Sequence, residues 1–179
     1  MEIKHRIELV SLLKEMNLPL IASESGVAEG NFSRDMLEAG VDKLYAIDNW
    51  DEIIGQLGDG GFDASWHQKN FKDAMEKFEP YMGKVRVLKG LSYEVCKEIP
   101  DGELSLAYID CDHSYMGVMR DLFALFPKVR HGGIISGHDF LNPSYGVKRA
   151  VEDFTRGKYD VYVIPENNEY DASFYFIKK

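Results

Sequence analysis

Residues 20–37 read LIASESGVAEGNFSRDML, and a change of period inside them decides the fold. Leu20 to Glu24 is a short apolar-rich run behind Asn17 and Pro19, the pattern of a buried strand. Gly26 and Gly30 then interrupt it, and Phe32, Met36 and Leu37 resume at helical spacing towards Gly40. A strand, a glycine turn and a helix in that order open a βαβ unit.

The flanking sequence continues the alternation. Upstream, Ile3, Ile7, Val10 and Leu13 recur with a helical period over 1–17. Downstream come a strand at Lys43–Asp48, a Gly- and Asp-rich loop at Gly55–Asp63, and a helix over Trp66–Met82 with Phe71, Met75, Phe78 and Met82 on one face. Val85–Leu88, Leu104–Asp110 and Gly133–Gly137 read as strands. Tyr115–Phe126 reads as a helix with Val118, Met119, Leu122 and Leu125 inward, and Val147, Ala150, Val151 and Phe154 mark another. Parallel strands need crossovers of this length, so the pattern predicts a parallel sheet with helices on both faces. Tyr159–Ile164 and Ser173–Ile177 have no helix between them, which predicts an antiparallel pair at or near a sheet edge.

The 179 residues, 45% hydrophobic and 28% charged, suit one globular domain over 1–179. A formal net charge of -9 argues against a nucleic-acid partner, since phosphate binding needs clustered Lys and Arg. Cys96 and Cys111 form no CxxC pair, so no zinc site or disulfide framework is expected. The first 17 residues mix Lys4, Arg6, Glu8, Lys14 and Glu15 with their apolar positions, unlike a signal peptide, and no run reaches membrane-spanning length. A cytoplasmic protein acting on a small molecule, with no membrane partner and room for a homo-oligomer, is the expectation.

Ligands of open parallel sheets bind beyond the carboxyl ends of the strands, and here those ends are polar. The first ends in Glu24 and enters the turn with Gly26 and Gly30; the second ends in Asp48, which can accept both hydroxyls of a ribose. The third leads into Gly90-Leu91-Ser92, the fourth into Asp110-Cys111-Asp112-His113. A dinucleotide fingerprint would be GxGxxG, whereas this turn is GxxxG with Glu24 and Glu29 beside it. Those carboxylates repel a pyrophosphate and suit a sulfonium or an ammonium. S-adenosyl-L-methionine carries both.

Taken together, Glu24-x-Gly26-x-x-x-Gly30, Asp48, Gly90-x-Ser92, Tyr108-Ile109-Asp110-x-Asp112-His113-Ser114-Tyr115 and Gly132-Gly133-Ile134-Ile135-x-Gly137-His138-Asp139 resemble the class I methyltransferases, in particular methyltransferase domain 24. The resemblance implies a Rossmann-like α/β fold with a mostly parallel seven-stranded sheet, helices on both faces and an antiparallel C-terminal strand. It also implies transfer of a methyl group from S-adenosylmethionine to a hydroxyl of a small molecule or sugar. Carried over by position, Glu24, Gly26 and Gly30 would line the methionine half of the cofactor, Asp48 and Asp110 would bind it, and Gly90 and Ser92 would sit at the adenine. Trp50 would either stack on the adenine face or anchor its own loop.

In related O-methyltransferases carboxylates after the fourth and fifth strands hold a divalent metal, and the matching positions are Asp110, His138 and Asp139. The imidazole departs from the family pattern and suits Mn, Fe or Zn as well as Mg. Asp112 and His113 are the candidate bases: His113 by its titration range, Asp112 by its place in the pattern. Against these roles, Asp112 and Ser114 would equally serve as helix caps. His67 reads as a surface or packing residue, and His5 and His131 as surface residues. Acceptor recognition would fall to the opening helix, the Asp51–Ser65 loop and the Leu141–Gly146 loop. A nicotinamide-dependent oxidoreductase and a catalytically inactive cofactor-binding module remain the alternatives.

Overall fold

The computed structural model describes residues 3–51, 62–166 and 170–179. Helix α1 (Glu8–Glu15) leads into β1 (Ile21–Ser25), α2 (Asn31–Glu38) and β2 (Lys43–Asp48). Then follow α3 (Ala64–Phe78), β3 (Val85–Lys89), the short α4 (Ser92–Val95), β4 (Leu104–Ile109), α5 (Tyr115–Leu125), β5 (Val129–Gly137), α6 (Val147–Thr155), β6 (Tyr162–Ile164) and β7 (Ser173–Ile177). The seven strands lie in the order β3-β2-β1-β4-β5-β7-β6. The first five are parallel, β7 runs antiparallel to β5, and β6 runs antiparallel to β7.

Strand alternation sorts the core into two layers. On β2, Leu44 and Ala46 join a cluster with Leu9, Val10 and Leu13 of α1, Phe32 and Met36 of α2, and Ala74 and Phe78 of α3. Tyr45 and Ile47 face the other way, into a cluster with Val118, Leu122 and Leu125 of α5 and Val147, Ala150 and Val151 of α6. Both faces of the central strands are therefore covered, whereas the edge strands β3 and β6 remain partly exposed. That explains why a strand such as β4, buried along its whole length, reads as a mostly apolar run rather than an alternating one.

The expected elements are present with shifted bounds. The opening helix begins only at Glu8, although Ile3 before it is buried. The face expected for α3 packs on the core through Phe71, Met75 and Phe78 and extends to the buried His67, Asn70 and Ala74, while Met82 lies past the helix end and is 55% exposed. Helix α4 was not foreseen, because four residues are too few to show a period. Of the Gly55–Asp63 and Asp51–Ser65 loops expected from the sequence, residues 52–61 lie outside the described residues. No helix among the described residues is long and apolar enough to cross a membrane.

Strand order places the switch between β1 and β4: the chain moves outward from β1 to β3, then crosses over to β4 on the other side. Connections diverge there, and a crevice opens above the strand ends.

Candidate active site

The turn after β1 is shaped by its glycines. Gly26 has φ of +89° and donates its N–H to the Ile47 carbonyl at 2.9 Å, and a Cβ there would collide with the backbone carbonyl of Asp110. The ends of β1, β2 and β4 thus close on one another only because position 26 lacks a side chain. Gly30, at φ of +80°, does a different job: a Cβ would stand 3.2 Å from Ala74 and 3.3 Å from Phe78, so it lets α2 start against α3.

Asp48 binds this turn with both oxygens. Oδ2 accepts the Ala28 N–H at 2.9 Å and Oδ1 the Trp50 N–H at 2.7 Å. Burial pushes its carboxyl above the usual range, opposed by those backbone N–H groups. Trp50 anchors its loop and also lines the cavity above the strand ends. It is 3% exposed, its Nε1 donates to the Ala28 carbonyl at 2.8 Å, and its ring meets Phe71 edge-on at 5.0 Å. Glu24 is buried beneath the crevice and accepts a hydrogen bond from Ser33 Oγ. Burial pushes its carboxyl up to about 8, against the pull of that hydrogen bond.

A cavity of about 690 Å³ opens above these strand ends. Gly26, Asp48, Trp50, Gly90, Ser92, Asp110, Asp112 and His113 line it, so eight of the ten expected cofactor-site and catalytic positions come together; Glu24 and Gly30 stand behind its wall. Among the lining residues not expected at the site, two are buried and polar. His67, read from sequence as a surface or packing residue, is 4% exposed and faces the cavity from α3. Asp121 of α5 is buried beside Ser92, whose Oγ donates to it. A signal existed in both cases: His67 shares its helical stripe with Asn70, Ala74 and Phe78, and Asp121 shares one with Val118, Leu122 and Leu125.

Beyond β4 and β5 lies a cluster of acids and imidazoles. His113 Nε2 sits between Asp110 Oδ1 at 3.1 Å and Asp139 Oδ2 at 3.4 Å. One ligand atom from each of Asp110, His113 and Asp139 falls within 4.8 Å of the others. Two carboxylates and an imidazole at that spacing fit a divalent ion of the Mn, Fe or Zn type. His138, expected in this set, is placed differently. Its backbone N–H continues the ladder to the Ile109 carbonyl at 3.1 Å, and its Nδ1 lies 3.2 Å from Asp139 Oδ2. Asp139, at φ of +55°, turns the chain after β5, and it is His113 that completes the group with Asp110. Burial opposes protonation of His138, but the Asp139 hydrogen bond and the Asp110 charge prevail and its pKa is raised. Burial also works against ionisation of Asp139, yet His138 and His113 hold its pKa below the usual range.

Ser114 caps α5, its Oγ accepting the Gly117 N–H at 3.0 Å, and Asp112 Oδ1 accepts the Ser114 N–H at 2.9 Å. Capping is thus real for both residues, while Asp112 also lines the cavity. From the segment ahead of α1, Arg6 reaches Asp110: its guanidinium lies 4.5 Å over the Phe32 ring, donates to Tyr108 Oη at 3.3 Å and stands 3.9 Å from Asp110 Oδ2. From the Leu141–Gly146 loop, Tyr145 packs on His113 at 4.6 Å between ring centroids.

Sheet order, glycine turn and strand-end acids together define a Rossmann-like class I methyltransferase fold. The methyltransferase domain 24 model, described as a methyltransferase domain, matches residues 23–140, so the chain belongs to that family. No curated protein matches it. Among solved structures it is similar to the O-methyltransferase NovP, at 22% identity and a TM-score of 0.71 over 97% of this chain and 77% of that one. CalS11, a TDP-rhamnose 3'-O-methyltransferase of calicheamicin biosynthesis, aligns at 16% identity and a TM-score of 0.66 over 96% and 77%. A methyltransferase from Geobacter sulfurreducens aligns at 12% identity and a TM-score of 0.66 over 99% and 80%. At these identities the likeness is one of fold.

Proposed function

We propose that this protein transfers the methyl group of S-adenosylmethionine to a hydroxyl of a small molecule or sugar, with a divalent ion at the acceptor. The observation that carries this reading is the Asp110, His113 and Asp139 cluster, set at one end of a cavity whose other walls hold Asp48 and Ser92. Asp48 accepts hydrogen bonds from the cofactor ribose, Glu24 lies under its cationic methionine half, and Gly90 and Ser92 border the adenine. Asp110, His113 and Asp139 would hold the ion, which when bound would supply Lewis-acid chemistry that eases loss of the acceptor's proton.

That use of His113 leaves Asp112 as the base. Asp112 takes the acceptor proton, the hydroxyl oxygen forms its bond to the methyl carbon, and the carbon–sulfur bond breaks to leave neutral S-adenosylhomocysteine. Alignment of oxygen, carbon and sulfur inside one cavity supplies much of the acceleration. Arg6 and Tyr145 border the acceptor at the mouth.

The test is isothermal titration with S-adenosylhomocysteine, followed by radiolabelled methyl transfer to a panel of phenols, catechols and nucleotide sugars, with and without Mn²⁺. Binding together with metal-stimulated transfer to a hydroxyl supports the reading. A folded protein that binds no S-adenosylhomocysteine removes its basis.

A further inference from the structure

Helix α5 buries one apolar face, through Val118, Leu122 and Leu125, and turns a second one outward. Its exposed residues are Met116, Arg120 and Phe123. They follow one another at i, i+4 and i+7 as a single stripe, with Met116 60% and Phe123 65% exposed. In a chain with 30 Asp and Glu, this stripe holds no carboxylate. A surface helix that is apolar on both sides has one side unaccounted for.

The stripe forms one wall of a groove of about 490 Å³, lined chiefly by Tyr93 of α4 and by Tyr115, Met116, Met119, Arg120 and Phe123 of α5. Tyr, Phe, Met and Arg are the residue types that enrich protein interfaces. Its aromatic residues are braced from α6: Phe123 meets Phe154 edge-on at 5.2 Å, and Tyr115 Oη donates to Asp153 at 3.1 Å. Among the described residues lining the groove, only Arg120 is charged. It is already engaged within its own chain, 5.1 Å from the centre of the Tyr93 ring and 3.9 Å from Asp112 Oδ2.

We propose that the groove is occupied by a second copy of this chain, with the two α5 helices packed antiparallel about a two-fold axis. Seven residues of helix span about 10 Å, and the midpoint of the stripe falls level with Met119 and Arg120. A two-fold axis there sets each Met116 against Phe123 of the other copy, a thioether on an aromatic ring, and closes the same patch on itself. Met116, Phe123, Tyr93 and Arg120 leave roughly 400 Å² exposed, about half of the roughly 800 Å² per partner that a stable interface buries. The flanking helices α4 and α6 supply the remainder as a polar rim, with Arg149 over the Tyr115 ring at 4.9 Å. Each copy carries a formal charge of -9, and the two meet through a groove lined by no carboxylate. Tyr93 and Arg120 also line the larger cavity, so the second copy stands at its edge.

Sedimentation velocity of the full chain from about 1 to 100 µM should show the wild type passing from one chain to two. Phe123→Glu alters a side chain exposed in the single chain, so it should keep the wild-type circular dichroism and weaken dimerisation at least about 100-fold. A wild type that stays a single chain at about 100 µM overturns the inference, and so does a dimer that Phe123→Glu leaves unchanged. Register is read separately by mixing Met116→Cys with Phe123→Cys under mild oxidation. The mixture should give a covalent dimer and neither variant alone should, because the two positions lie about 10 Å apart along the helix, beyond the reach of one disulfide. A mixture that gives none, or cross-linking of either variant with itself, overturns the antiparallel pairing.

Discussion

Glu24→Gln is a perturbation whose size follows from the structure. Glu24 is 3% exposed, accepts one hydrogen bond from Ser33, and is pushed from its ordinary 4.5 up to about 8, chiefly by burial. Between those values the folded protein holds a proton that the unfolded chain releases. Stability contributed by the neutral acid is therefore complete below about pH 4.5 and lost as pH rises through about 8. Each pH unit in that window removes about 1.4 kcal/mol, or about 5 kcal/mol across it. Gln fills the same volume, can accept from Ser33 through its carbonyl and does not titrate. Urea unfolding of both proteins at intervals from pH 5 to 8 should show the stability of Glu24→Gln relative to wild type growing by roughly 1.4 kcal/mol per pH unit. All other titrating groups are shared, so the difference isolates this one. A difference that stays constant with pH would refute the burial argument. The same charge state bears on function, because a cation docking above Glu24 favours its ionised form. Titrations of S-adenosylmethionine near pH 7 in buffers of different ionisation enthalpy should then show proton release, which Glu24→Gln abolishes.

Gly30→Ala places a methyl group 3.2 Å from Ala74 in a backbone held at φ of +80°; chemical denaturation should show a loss of about 1–3 kcal/mol. Trp50→Phe removes the donor to the Ala28 carbonyl while keeping an aromatic ring against Phe71, so stability should fall by about 1–3 kcal/mol. The loss should appear with or without cofactor; a variant as stable as wild type would show that the anchor is dispensable. His113→Asn and Asp112→Asn separate holding an ion from taking a proton. The first should raise the Mn²⁺ concentration needed for half-maximal transfer, with activity returning at excess metal, whereas the second should lower kcat about 100-fold or more at every metal concentration. The reverse pattern would exchange their roles.

Most of the architecture was written in local pattern. The Lys43–Asp48 and Ser173–Ile177 strands fall where their apolar runs do, and the return of β6 against β7 follows from the lack of a helix between them. The buried face of α3 is wider than its apolar residues show, because a period of 3.6 fits both Phe71, Met75 and Phe78, which pack on the core, and the stripe through His67, Asn70, Ala74 and Phe78. Only contact with the rest of the fold shows that the polar members of the second stripe are buried as well. The same holds for polar residues: a His or Asp in a helix reads as solvated until a cavity is seen to adjoin it, as for His67 and Asp121.

From sequence alone, then, came the alternation of strands and helices, the glycine turn and the list of residues that end each strand, since periodicity and turn chemistry act over a few neighbours. Tertiary structure alone decided which of those residues meet. His113 and His138 both stand at strand ends near Asp110 in the sheet, but a side chain's direction depends on how the chain leaves its strand. The left-handed turn at Asp139 leaves His138 beside Asp139, while the approach to α5 carries His113 between the two carboxylates. That difference of direction, invisible in the order of residues, is what brings Asp110, His113 and Asp139 together.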